Sequence, residues 1–371
     1  VTIYVLQAAI LALAATAIFR NRLPGILVYS LIWTVGVIAI RSRYGVSGEA
    51  LFYSNDQRHH AVVTNALVEL GINSDWGYML RSGRIAYTLP AALLQWIGFE
   101  TMLALKFVSI ISFLAAAKVT VRYMRSLGIE ERLLFRYLTV FGPAGLFFSL
   151  LALRETMMLL LVTLFFTDRR TTMKLSVLLA ALTLRPHLAA ALVVGSLFAP
   201  VALRIAQKAY YLAVALTLLI PALIGNAGYS VGSWLIDGMK LELARSTLSS
   251  DALIRILTNL VGLQFLAADA TTTELNFADL MLARVPFLET ILIPLLFTLT
   301  LLFAPRLTEF RWRIFGAFSF YLGLVTVTDF NSFRQNIPFM AVFGLLAVTE
   351  GVIIPQARIR LISTTANETS S

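Results

Sequence analysis

Three arginines stand at breaks in otherwise apolar stretches: Arg154-Glu155, Arg185-Pro186-His187, and Arg334 in the short turn that also holds Asp329 and Asn331. A guanidinium stays charged in low-dielectric surroundings and meets phosphate oxygens with a planar fork of donors. Three of them at the rim of an apolar bundle suit a phosphate or pyrophosphate whose hydrocarbon tail remains in lipid. A further polar run, Asp56-Gln57-Arg58-His59-His60, lies in a long connecting segment. Its carboxylate, Asp56, is the candidate general base for an acceptor hydroxyl. Arg58, Arg154, Glu155, Arg185, His187 and Arg334 are the candidate substrate-binding residues, and positive groups beside a departing phosphate would stabilise its developing charge. His59 and His60 are adjacent, so their side chains point in different directions and make a poor metal site. No cofactor is called for, and metal dependence stays open, with no residues that support a divalent metal.

The elements that must position these groups follow from composition. Of the 371 residues, 58% are hydrophobic and only 13% charged, and the mean hydropathy is +0.81. Soluble domains carry about 25% charged and about 45–50% apolar residues, which sets aside a cytosolic enzyme, a nucleic-acid module and a disordered chain. The formal net charge of +10 fits an uneven Lys/Arg distribution around membrane spans. The absence of cysteine removes disulfides, thiolate metal sites and cysteine nucleophiles. The expected class is all-α, a polytopic transmembrane helix bundle, in a prokaryotic cytoplasmic membrane.

A span needs about 20 apolar residues. Candidates are 1–19, 24–40, 102–121, 137–152, 155–167, 174–187, 188–200, 209–225, 286–304, 313–328 and 336–354, about 11 segments, several short or broken. The first lacks a basic n-region and reads as a span, not a cleavable signal. The middle four form two long runs broken by Arg154-Glu155 and by Arg185-Pro186-His187, each expected to be a hairpin of short helices with a charged tip. Basic clusters at Arg20/Arg22, Arg122–Arg136, Arg169–Lys174, Arg204/Lys208, Arg306–Arg313 and Arg358/Arg360 all fall on one side, provided that 85–99 is a re-entrant or interfacial helix. The positive-inside rule then puts the N-terminus out and the C-terminus in. The expected organisation is a single transmembrane domain, 1–361, with outer loops at about 41–101 and 226–285 carrying amphipathic helices. In the second loop the spacing of Leu253, Ile254, Leu257, Leu260 and Val261 supports one such helix. Residues 362–371, rich in Ser and Thr, read as a disordered cytoplasmic tail.

No phosphate-binding Gly-rich loop, His-Glu-x-x-His helix or Gly-x-Ser-x-Gly elbow is present, which argues against ATP-driven transport, zinc-protease and serine-esterase chemistry. Four stretches carry a resemblance instead. Tyr53-Ser54-Asn55-Asp56-Gln57, and Phe141-Gly142-Pro143-Ala144-Gly145-Leu146-Phe147-Phe148-Ser149 followed by Leu153-Arg154-Glu155, resemble the GT-C superfamily of membrane glycosyltransferases. Thr183-Leu184-Arg185-Pro186-His187 and Ser332-Phe333-Arg334-Gln335-Asn336-Ile337-Pro338 are similar to its later arginine-bearing turns. The last three stretches also resemble O-antigen-type polysaccharide polymerases. The resemblance implies sugar transfer from a polyprenyl-phosphate-linked donor to a glycan or lipid acceptor on the extracytoplasmic face. It implies that Asp56 acts as base and that Arg154, Arg185 and Arg334 are cationic tip residues. Polymerase and single-sugar transferase stay open within this class. Outside it stand a lipid or polysaccharide transporter of flippase type and a noncatalytic membrane subunit of a larger complex with membrane-protein partners.

Overall fold

A computed structural model describes residues 54–73, 84–128, 151–237, 307–326 and 336–349, together with a few isolated positions between them. Among these residues the elements are α1 (Ser54–Leu70), α2 (Ile85–Trp96), α3 (Thr101–Ser126), α4 (Glu155–Thr167), α5 (Thr171–Leu184), α6 (Pro186–Ala206), α7 (Tyr210–Asp237), α8 (Glu309–Thr326) and α9 (Ile337–Thr349). A short 3-10 turn, Gly71–Asn73, follows α1. The described structure is all-helical, without strands.

Local chemistry sets the helix ends. The Glu100 carboxylate accepts the N–H groups of Met102 at 3.0 Å and Leu103 at 2.9 Å, satisfying donors that the first turn of α3 leaves without partners. Gly128, at φ 70°, closes the other end, where its N–H bonds to the Arg125 carbonyl at 3.0 Å. Pro186 fits the first position of α6, which has no N–H to offer a preceding turn. It also drives Arg185 into an extended conformation, φ −161° and ψ 100°. The apolar run 174–200 is therefore broken at Arg185.

Contacts at both ends of the bundle show how α5 and α6 fold back on each other. Asp168 lies between α4 and α5 and accepts the backbone N–H of Arg170 at 2.8 Å, so these helices form a tight hairpin. Arg169 sits close enough to Tyr123, at the end of α3, to act on it electrostatically. The Tyr123 ring stacks on Phe310 of α8 at 5.9 Å. Nearby on α8, Arg311 donates to the Tyr210 hydroxyl at 2.8 Å and Trp312 packs on the Tyr210 ring at 5.9 Å. The start of α5 and the end of α6 thus lie at the same end, which also holds Arg122, Arg125, Arg170, Arg204 and Lys208 as exposed cations. The α5–α6 pair is V-shaped, with Arg185 at its apex.

Helix α8 is the centre of the bundle, buried continuously from Ile314 to Leu324. It packs against α6 and α7 through small residues. Gly316 lies opposite Gly195 of α6, and Gly323 meets the backbone of Ala222 in α7. Such contacts let helix backbones approach to a separation that any side chain would prevent. The outward surface is apolar as well. Leu175, Leu179 and Leu182 line one exposed face of α5, and Val193, Leu197 and Val201 do the same on α6. A contiguous exposed apolar surface of this kind needs a lipid or protein cover.

By length and composition, α3 and α6 can cross a membrane. The described residues thus support two candidate spans and not the full expectation of eleven. Helix α2, at 12 residues, rises only about 18 Å, short of a hydrocarbon core of about 30 Å. The expected break at Asn226 is replaced by continuous helix, since α7 runs to Asp237. The expected helix at 253–261, the segments before residue 54 and the tail lie outside the described residues.

Helix proximity at the small-residue seam should be measurable. Gly323→Ala drives a Cβ into the Ala222 backbone and should lower stability by at least ~1–3 kcal/mol. Thermal unfolding followed by tryptophan fluorescence in detergent would show a lower midpoint, with Leu197→Ala on the exposed face close to wild type. An unchanged midpoint for Gly323→Ala would disprove the close approach.

Candidate functional site

The irregular turn 151–154, between the buried residues Phe148-Ser149 and helix α4, carries backbone groups into the protein interior. Buried peptide groups must find partners, and here the partners are side chains. Gln57 Oε1 of α1 accepts the Ala152 N–H at 3.0 Å. His60 Nδ1, one turn further along α1, meets the Ala152 carbonyl at 3.0 Å. Because a carbonyl can only accept, the His60 proton resides on Nδ1 and the tautomer is fixed. From the opposite side, Ser109 of α3 donates to the Leu153 carbonyl at 2.9 Å. Tyr87 of α2 lies 2.8 Å from Ser109 Oγ and 3.0 Å from the Leu105 carbonyl. With Ser109's single proton committed to Leu153, Tyr87 is the donor to either acceptor.

These bonds set the next two residues. Arg154 and Glu155 are both buried, Glu155 opens α4, and its charge acts on Tyr87. An acid in the first turn also complements the helix dipole. The ring of His60 packs edge-on against Tyr87, with centroids 5.1 Å apart, so α1, α2, α3 and the turn share one core. Asn65 Oδ1 strengthens the same junction by accepting from Thr101 at 2.7 Å and from Gln95 at 3.2 Å.

The second arginine is held differently. Arg185, at the α5–α6 apex, donates from Nη1 to the Tyr321 hydroxyl of α8 at 3.0 Å. Its guanidinium carbon also lies 5.5 Å from the centroid of the Tyr321 ring, within reach of a cation–π attraction. His187, one residue into α6, feels the charges of Arg185 and Arg84. Arg84 also acts on His60, as does Asp56 from the first turn of α1. Arg84 therefore joins the two halves of the site.

Of the residues expected from sequence, Asp56, Arg154, Glu155, Arg185 and His187 gather at this end of the bundle. Arg58 is exposed on α1 and does not join the buried groups. Arg334, with Asp329 and Asn331, lies outside the described residues. Sequence reasoning passed over Arg84, Tyr87, Ser109, Tyr321 and the buried Lys106 of α3. Lys106 alone carried a signal, as an ammonium in the first, otherwise uncharged half of a 26-residue apolar helix, where an ionisable group is costly and usually functional. Lys106, Arg154 and Glu155 are buried, whereas Asp56, Arg84 and Arg185 are half-buried. Burial lowers the His60 pKa from 6.5 to about 4, opposed by its bond to Ala152 and by Asp56.

The His60 shift has a defined pH consequence. The unfolded chain takes up the proton near 6.5 and the folded protein only near 4, so stability is intact above 6.5 and declines as pH falls through that window. His60→Asn keeps an N–H donor without an imidazole and should lose this part of the acid sensitivity. Unfolding midpoints of both proteins between pH 7 and about 4 check it, and parallel curves would rule out His60 as the source. Compared with protein-family models, with curated proteins and with solved structures, the chain matches none of them, and its functional reading rests on the geometry of this site.

Proposed function

We propose that the protein is an integral membrane glycosyltransferase or polysaccharide polymerase using a polyprenyl-phosphate-linked sugar. The observation that carries the reading is the gathering of Asp56, Arg154, Glu155, Arg185 and His187 at one end of an apolar bundle. A guanidinium stays charged where water is scarce and meets phosphate oxygens with a planar fork of donors. The apolar exposed faces of α5 and α6 would lie in lipid, where the hydrocarbon tail of such a donor also resides.

In this reading Arg154 and Arg185 bind the phosphate and stabilise the charge left on it as the glycosidic bond to the sugar breaks. Asp56 takes the proton from the acceptor hydroxyl. The cation-rich opposite end faces the cytoplasm by the positive-inside rule, which makes the candidate site extracytoplasmic. Helices α4 and α5, at 13 and 14 residues, rise about 20 Å, so the site sits within a core of about 30 Å and not at its rim. Helices α1 and α2 fill the remaining depth beside the first part of α3. That roof would exclude water from the reacting groups, which strengthens each charge interaction below it.

The test is glycan output in a deletion strain complemented with variants of confirmed membrane expression. Arg185→Ala should reduce output by roughly 10–100-fold, the loss of charge-assisted hydrogen bonds. Tyr321→Phe removes one bond yet keeps the ring and should cost about fivefold. Asp56→Asn should be inactive while lipid-linked precursor accumulates on the outer leaflet. Accumulation on the inner leaflet would identify a transporter, and full output from Arg185→Ala would end the transferase reading.

A further inference from the structure

Hydroxyl groups inside apolar helices commonly bond back to their own backbone. Thr64, Ser112, Thr163, Thr167 and Ser196 all do so, donating to the carbonyl four residues earlier at 2.6–2.9 Å. Thr217 of α7 and Ser319 of α8 depart from that pattern. Both are fully buried, and neither hydroxyl makes a hydrogen bond within the protein. A buried hydroxyl without a partner costs free energy, so the surroundings of these two decide what meets them.

Their relative position follows from contacts on either side. Near the starts of the two helices, Tyr210 packs on Trp312 at 5.9 Å and its hydroxyl accepts from Arg311 at 2.8 Å. Further along, the Ala222 backbone meets Gly323, so α7 and α8 run parallel. Thr217 lies seven residues beyond Tyr210, and Ser319 seven beyond Trp312. Each therefore stands about two turns above that ring contact and on the same helix face. The two hydroxyls share one level of the α7–α8 seam, yet they do not bond to each other.

Pro221 adds a third polar group at this level. It is buried inside α7 and has no N–H. The Thr217 carbonyl, four residues earlier, thus lacks its helical donor and is pushed aside by the proline ring. The seam therefore offers two hydroxyls and one carbonyl. A bound water needs roughly two to four polar partners, and ordered water beside Ser and Thr groups is one way in which an apolar helix tolerates a proline. A metal cation would need a countercharge in such surroundings, and residues 210–224 and 312–324 contain no carboxylate.

We propose that α7 and α8 bind one water molecule between Thr217 and Ser319, which accepts from both hydroxyls and donates to the Thr217 carbonyl. This buried hydration site stands independently of the functional reading above. It also bears on position. Ser319 comes two residues before Tyr321, whose hydroxyl accepts from Arg185 at 3.0 Å, so the bridge fixes the rotation of α8 that presents this phenol.

The test uses the full-length protein crystallised from a lipid mesophase, once with sodium salts and once with thallium salts. The expected result is a density peak about 2.7–3.0 Å from both hydroxyl oxygens, without anomalous signal in thallium. A thallium peak there would make it a cation site, and hydroxyls turned onto the Ala213 and Phe315 carbonyls with no peak between them would remove the site; either overturns the proposal. Thermal unfolding in detergent gives a second readout. Thr217→Val and Ser319→Ala each leave the other hydroxyl poorly met and should lower the melting temperature by at least about 2 °C. The double variant should fall by less than the sum, because the water leaves with both hydroxyls. Thr163→Val, whose hydroxyl bonds to Leu159 in its own helix, should add independently to Ser319→Ala. Additive shifts for Thr217→Val and Ser319→Ala, or no shift in either, would overturn the shared water.

Discussion

A buried turn without regular secondary structure has to satisfy its peptide groups with side chains, and the rest of the site follows from that constraint. At Ala152 both backbone groups are taken by α1, through Gln57 and His60, and at Leu153 the carbonyl is taken by Ser109 of α3. Gln57 and His60 are three residues apart and so project from one helix face. They engage the turn as a neighbouring strand would engage an extended chain. Each of these bonds is individually modest, yet leaving any one of the buried groups unmet is expensive. The position of Arg154 is thus decided by α1 and α3 before the arginine makes any contact of its own.

The same reasoning explains why the two arginines have different supports. Arg154 follows a hydrogen-bonded turn and is buried by its neighbours, whereas Arg185 is an extended residue imposed by the following proline and bonded to Tyr321. Tyr321 lies two residues before Gly323, the point where α8 touches the Ala222 backbone. Close packing at that glycine fixes the rotation and depth of α8, which in turn fixes the phenol that holds Arg185. A helix seam distant from the chemistry therefore sets the geometry of the site, as rigid packing transmits position.

Much of the helical layout could be read from the chain, because apolar length and charge punctuation report directly on helix formation. The expected segment 155–167 matches α4, and the break at Arg185-Pro186 is visible because proline constrains the residue before it. The gathering of Asp56, Arg154, Glu155, Arg185 and His187 was legible for a related reason: hairpin tips along one chain alternate between two ends. The roles of Gln57, Ser109 and Tyr321 were not legible. Serine and tyrosine in apolar helices look alike whether they bond within their own helix or across it, as Ser112 and Ser109 show. Ser112 donates to Val108 in its own helix, and Ser109 donates to Leu153 forty-four positions away. Only the packing partner separates the two cases. Arg84 was hidden because Gly83 stands directly before it, and a left-handed backbone is expected at the glycine and not at the arginine.

The roof formed by α1 and α2 deserves its place in this physical picture because of depth. Ser109 stands eight residues into the 26-residue α3, about 12 Å from its start, and it is level with the turn that precedes Arg154. Without α1 and α2, the first third of α3 would face solvent or lipid, and the charges below would lie open to water. With them in place, Arg154 and Glu155 are buried and Asp56 and Arg185 are half-buried. A charge in such an interior is stabilised by fixed dipoles and hydrogen bonds instead of mobile water. That distinction matters for any anionic ligand, since fixed donors need no reorganisation as charge develops. Burial also explains why the imidazole of His60 serves as a neutral hydrogen-bond donor and not as a cation: the charged form would lose its hydration there.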